Sequence, residues 1–217
     1  MFIDHFSKYV LPYYPSSNDA LWTFQDLPVT WLVIGSTIGR IAFPIFCFLL
    51  VEGFVYTRDR LRYGLSLFLF ALISEVPFDL ERKLMLVDPT YQNVFWTLFI
   101  SYLGLCALEG FKDHPVRRAV AVIGLALLSM GLICDYGPRG YAMVMVLYAL
   151  RGKALETTAI GSCITLATWR AGLAFIPINL YNGKRGFIKG PILKYAFYLF
   201  YPVHLFFIYW LRLRLGI

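Results

Sequence analysis

Long apolar runs constrain this chain more than any other feature. The run Thr30–Tyr56 carries only two charged residues, Arg40 and Glu52, and further apolar runs occupy Leu61–Leu80, Val94–Phe111, Val116–Cys134, Leu155–Pro177 and Ile192–Leu211. A helix needs about 20 mostly apolar residues to cross about 30 Å of hydrocarbon, and lipid offers the backbone no hydrogen-bond partners. The expected fold is therefore all-α, a polytopic integral membrane helical bundle. Phe2–Leu11 and Gly140–Leu150 are shorter; at about 1.5 Å per residue the first reaches only about half-way across. Counting them gives an expectation of about seven to eight membrane helices.

Composition agrees. Only 15% of the 217 residues are charged and 59% are hydrophobic, whereas soluble domains carry about 25% charged residues. Phe2–Leu11 lacks the basic n-region and small-residue cleavage site of a signal peptide. No repeat or long linker divides the chain, so residues 1–217 read as one transmembrane domain. Cys47, Cys106, Cys134 and Cys163 stand singly in apolar runs, as reduced thiols without metal-ligand spacing. The net charge of +7 reads as loop charge that sets topology. No basic stripe interleaved with exposed aromatics suggests nucleic-acid binding.

Pro12–Pro28 contains no Lys or Arg, whereas Arg58, Arg60 and Arg62 follow the next run. If every run spans, Lys112, Arg117, Arg118, Arg151 and Lys153 share the side of those arginines, which should be cytoplasmic. The same scheme puts Lys184, Arg185 and Lys189 on the other side, in conflict with the rule.

Polar residues break the apolar pattern in four places. Asp4 and His5 lie in the opening run, where imidazole suits a general base and Asp4 can orient it or favour its protonated form. Arg40 lies deep in its run, where charge is costly; Pro44 leaves its carbonyl without a helical donor, and Glu52 nears the run's end with Arg58 and Arg60 as candidate partners. Glu75 and Asp79 share a face if the helix continues through Pro77, and can then hold a cation or substrate. Asn93 and Thr97 can extend that lining, or Asn93 can simply cap a helix. Finally Asn182, Lys184 and Arg185 form a Gly-bounded basic loop suited to phosphate or carboxylate, followed by Tyr198, Tyr201 and His204 around Pro202. Asp135 adds a carboxylate at a span end. Each place also reads as an interfacial pair, a helix end or packing. No Walker loop, GxSxG elbow, HExxH or dinucleotide fingerprint is present.

These places resemble the TraX family of membrane proteins. The matching stretches are Ile3–His5, Gly39–Phe46, Val51–Phe54, Ala71–Asp79, Asn93–Thr97, Asp135–Gly137, Tyr181–Gly186 and Phe197–Leu205. More distantly the chain is similar to multipass acyltransferases with a membrane-embedded histidine. The resemblance implies a bacterial inner-membrane acetyltransferase that uses acetyl-CoA as co-substrate and binds no resident cofactor or metal. It implies His5 as general base oriented by Asp4, with Arg40 near the acyl donor or oxyanion. The remaining polar residues, Glu52, Glu75, Asp79, Asn93, Asp135, Asn182, Tyr198 and His204, are expected in substrate or donor binding, with Lys184 and Arg185 on the CoA phosphates. Relatives carry a longer apolar lead before the Asp-His pair, so the first helix is expected to be shortened. The acceptor, an amine or hydroxyl on a protein N-terminus, glycan or lipid, stays open. So do two other readings: a proton-coupled transporter lined by Arg40, Glu75, Asp79 and His204, and a non-catalytic assembly protein.

Overall fold

Residues 1–24, 27–184, 186 and 190–217 are described by a computed structural model of the chain. Among them are nine α-helices. The eight-residue α1 is Phe2–Tyr9; α2 is Trp31–Tyr56, α3 Arg60–Lys83, α4 Val94–Gly110, α5 Pro115–Gly131 and α6 Gly137–Ala149. Then come α7, Ala154–Ile164, a 3-10 segment Leu166–Ala174, α8, Phe175–Asn179, and α9, Pro191–Leu215. The polar connection after α1 is not all loop: β1, Trp22–Phe24, pairs antiparallel with β2, Leu27–Val29. Among the described residues this pair is the one sheet in an otherwise helical chain.

Local chemistry sets the ends of the helices. Side chains of Thr30, Asp59 and Asn93 accept from Val33 N at 3.3 Å, Arg62 N at 2.9 Å and Phe95 N at 2.9 Å, capping α2, α3 and α4. Such caps satisfy first-turn donors that have no intrahelical partner. Pro115 opens α5 and Pro138 lies in the first turn of α6, positions where a missing N–H costs nothing. Pro44, Pro77 and Pro202 sit inside α2, α3 and α9, which continue through them. Glu75 and Asp79 are thus on one continuous helix.

Three helices, α2, α3 and α9, are long and apolar enough to cross a membrane, and α4 is a shorter apolar helix. Their outward faces carry Leu65, Leu69 and Ile73 on α3 and Phe197, Phe200 and Phe206 on α9, all exposed. So large an apolar surface belongs in lipid. Inward, Phe43, Cys47, Leu50, Phe54, Leu67, Phe70, Leu98, Leu105, Met143 and Leu205 form the common core.

The helix ends sort into two sets. At one end meet α1, the start of α2, the ends of α3, α5 and α9, and the starts of α4 and α6; Gln92 bridges Cys134 there, and Arg212 donates to the Glu81 carbonyl. At the other lie Glu52, Arg60, Arg151 and Lys194. The run Leu155–Pro177 does not cross between them. It breaks into α7, the 3-10 segment and α8, and Asn179 Nδ2 returns to donate to Thr158 Oγ1 at 2.8 Å. Ala154 and Tyr181 wall the same cavity. This re-entrant path corrects the assumption that every run spans: Lys184 follows Tyr181 and lies at the same end as Arg151 and Lys153. Arg185 and Lys189 fall outside the described residues.

Candidate functional site

The opening helix is too short to span, and it docks instead. Gly35 and Gly39 of α2 make room for it: a Cβ on the first would collide with Ser7 and on the second with Asp4. This close approach turns His5 into the bundle, where it is buried. Its Nδ1 lies 2.8 Å from Oε2 of Glu81, which is itself fully buried in the last turns of α3. Among the described residues the other Glu81 oxygen has no hydrogen-bond partner, so the carboxylate serves His5 alone. Arg212 of α9 fastens the same residue through its backbone carbonyl. The His204 ring stands 5.5 Å from that of His5, and the Tyr201 ring 6.2 Å, both edge-on.

His5 forms the wall of a cavity of about 430 Å³, with Asp4, Ser7 and Lys8 of α1, Ser36 and Arg40 of α2, Phe78 and Arg82 of α3, and Tyr91, Asp135 and Tyr136. Past Arg40, Tyr91 and Tyr136 a second chamber of about 430 Å³ continues between α2, the α5–α6 turn and the 3-10 segment. The turn that supplies Asp135 and Tyr136 is unusual: Ile133 and Tyr136 hold φ of 49° and 63°, a left-handed backbone costing non-glycine residues about 1–2 kcal/mol each. Packing holds it. The Tyr136 ring stacks on Phe43 at 3.6 Å, Asp135 N donates to Gln92 O at 2.8 Å, and Thr97 Oγ1 donates to the Asp135 carbonyl. Tyr91 OH donates to Asp135 Oδ1 at 3.0 Å. Burial pushes the Asp135 carboxyl above the usual carboxylate range, with the Tyr91 hydroxyl pulling the other way.

Asp4, His5, Arg40 and Asp135 are therefore brought together, with His204 behind His5. The partner of His5 Nδ1 is Glu81, however, in place of the expected Asp4. Glu75 and Asp79 brace the chain that follows α3. Glu75 Oε1 accepts from Asn93 Nδ2 at 2.6 Å and Asn93 N at 3.2 Å, and Asp79 Oδ2 accepts from Asp88 N at 2.7 Å. Asn93 also donates to Ala71 O at 2.8 Å, so it is a cap and a brace. Asp88 in turn meets Arg82 and, at 2.7 Å, Lys83; hydrogen bonds from Lys83 and Thr90 hold its carboxyl well below the usual range.

Glu52 lies at the opposite end, paired with Arg151 at 3.1 Å rather than with Arg58 or Arg60. It walls a third cavity of about 430 Å³ with Tyr56, Lys153, Asn179 and Tyr181. Asn182 Oδ1 accepts from Lys184 N at 3.0 Å, shaping the exposed loop beside it. Tyr198 packs on Phe70 at 4.9 Å between ring centroids. Sequence reasoning missed Glu81, Arg82, Tyr91 and Tyr136. Glu81 is remote from His5 in sequence and sits in a charged Glu-Arg-Lys tract that resembles an ordinary helix end.

Residues 1–212 match a family model described as "TraX protein". The chain is 29% identical over 216 residues to "Probable fimbrial assembly protein FimC, serogroup H1" of Dichelobacter nodosus, with 87% of this chain and 83% of that protein covered. No solved structure matches.

Proposed function

Because the chain belongs to the TraX family across residues 1–212, we propose that it is a multi-pass acyltransferase of the bacterial inner membrane, moving an acetyl group from acetyl-CoA to an amine or hydroxyl. The observation that carries this reading is the buried His5–Glu81 hydrogen bond at the wall of a cavity that also holds Arg40. With Nδ1–H donated to Glu81, Nε2 is left as the basic nitrogen, the arrangement a general base requires. Nε2 takes the acceptor's proton as its nitrogen or oxygen attacks the thioester carbonyl. Arg40 faces the oxyanion that develops. When the C–S bond breaks, the leaving thiolate receives the proton from His5, which returns to its starting state.

Topology supports a transfer toward the far side of the membrane. The end with Arg58, Arg60, Arg62, Arg151, Lys153 and Lys184 is read as cytoplasmic by the positive-inside rule; the His5 cavity is at the other end. In this reading α2 to α6 and α9 cross the bilayer, while α1 and α7 are embedded without crossing.

Membranes containing the protein are expected to release free thiol from acetyl-CoA, and His5→Ala to stop release while insertion is unchanged. Equal turnover in that variant removes His5 from the mechanism. The fimbrial assembly name of the relative favours a protein acceptor, and also the second reading, a non-catalytic assembly role. Comparing proteins, glycans and lipids by mass spectrometry with and without the gene separates the two: a mass difference of one acetyl group requires catalysis.

A further inference from the structure

Two of the cavities lie on one seam of the bundle. The chamber past Arg40 is walled by Pro44 of α2, Gly140 and Met143 of α6, and Thr165 and Ala171 of the re-entrant segment. The cavity at the basic end is walled by Phe48 and Glu52 of α2, Leu147 of α6 and Arg151 in the turn just after it, and Thr157 and Ile178 of the re-entrant segment. Along α2 and α6 these residues recur every three or four positions, the spacing that keeps side chains on one helix face. The same three walls thus run from one chamber to the other. At a rise of about 1.5 Å per residue, Arg40 and Glu52 are separated by about 18 Å.

Cys47 and Val144 fall, along α2 and α6, between the residues that wall the two chambers, as Ala174 and Phe175 do between Ala171 and Ile178, and all four are buried in the core. The Phe175 ring fits against Gly161 of α7 so closely that a Cβ there would collide with it. Irregular backbone at membrane depth is tolerated where it is buried in protein or lines a cavity. The 3-10 segment does the second, contributing Ala171 to the chamber wall.

We infer that this seam is the binding passage of the acyl donor, with Phe175 as the constriction the donor's arm must displace. The class of ligand is a linear arm ending in a thioester and carrying an anionic phosphate-bearing head. The head is taken up at the basic end by Arg151 and Lys153, and the thioester reaches Arg40. The inference rests on the acyl-transfer reading of the His5 cavity.

Cysteine accessibility tests it, in full-length protein whose native cysteines are replaced and which is inserted in sealed vesicles of either orientation. Thr157→Cys should react with a small, membrane-impermeant thiol reagent from the basic end only, and Ala171→Cys from the His5 end only. Desulfo-CoA added at the basic end should slow labelling of Thr157→Cys, and through its arm also that of Ala171→Cys, by tenfold or more. Adding Phe175→Ala should open Ala171→Cys to reagent from both ends. Adding Phe175→Trp should keep protection at Thr157→Cys and abolish it at Ala171→Cys. Protection of neither position, or of Ala171→Cys only by ligand added at the His5 end, overturns the passage. Thiol release from acetyl-CoA, measured on the same vesicles, keeps the two ideas apart. Turnover without protection refutes the passage alone, and protection at both positions without turnover upholds the passage while refuting the chemistry.

Discussion

Substituting Glu81 is the sharpest way to probe how His5 is held. Glu81 is fully buried, its ring-facing oxygen lies 2.8 Å from Nδ1, and its other oxygen has no partner among the described residues. A hydrogen bond to a charged group contributes about 1.5–3 kcal/mol and a neutral one about 0.5–1.5 kcal/mol. Glu81→Gln keeps the ring's acceptor and replaces the carboxyl by a neutral amide, a loss of at most about 1.4 kcal/mol or about tenfold in rate. Glu81→Ala removes the acceptor altogether. The ring is then free to turn or to change tautomer, and the general base's own contribution, at least about 100-fold, is forfeited. Asp4→Asn, which leaves the Glu81 bond in place, should slow the reaction less than Glu81→Ala. The assay is release of free thiol from acetyl-CoA by membranes, normalised to protein that has inserted. If Glu81→Ala runs at the wild-type rate, or Asp4→Asn is slower than Glu81→Ala, Glu81 does not position the base.

Other expectations follow from contacts described above. Gly39→Leu should push α1 off α2 by colliding with Asp4, abolishing turnover while circular dichroism still reports a helical bundle. Asn93→Ala removes the cap of α4 and the side-chain amide that donates to Glu75, leaving Glu75 only the backbone N–H of residue 93; a cap alone is worth about 0.5–2 kcal/mol, so thermal unfolding in detergent should shift down measurably. Asp88 is held below its unfolded value, so its stabilisation is present above the ordinary Asp range and is lost as pH falls through the lowered folded value. Asp88→Asn should therefore lower the melting temperature at neutral pH, with the gap to wild type closing as the pH is taken down through that range.

The apolar runs were enough to locate every long helix, because lipid leaves an apolar segment few alternatives to a helix. Thr30–Tyr56 and α2 agree within a residue, and Leu61–Leu80 is extended by Arg60 at its start and by Glu81, Arg82 and Lys83 at its end. Leu155–Pro177 misled because hydropathy measures length and apolarity, and is blind to a chain that enters and turns back. The polar positions near the start of α2 were legible for a related reason, since Arg40 and His5 are costly unless they face a cavity. Their partners were not. Glu81 is brought to His5 by the docking of α1 on glycines and by the end of α9, contacts between segments far apart in the chain. Asn93 and Glu75 show the converse: residues that read as a lining turn out to satisfy one another.

The re-entrant segment has a consequence for compartments. Because residues 154–181 turn back, the described chain passes between the two ends of the bundle an even number of times. The hairpin before α2 and the residues after α9 then face the same compartment as His5. An alkaline phosphatase fused behind Ile217 should be active and a fluorescent protein exported there through the general secretory route dark, if the basic end faces the cytoplasm. The cavity that His5 walls would then belong to the compartment outside the cell membrane, so an acceptor made in the cytoplasm would have to be exported before it could be modified.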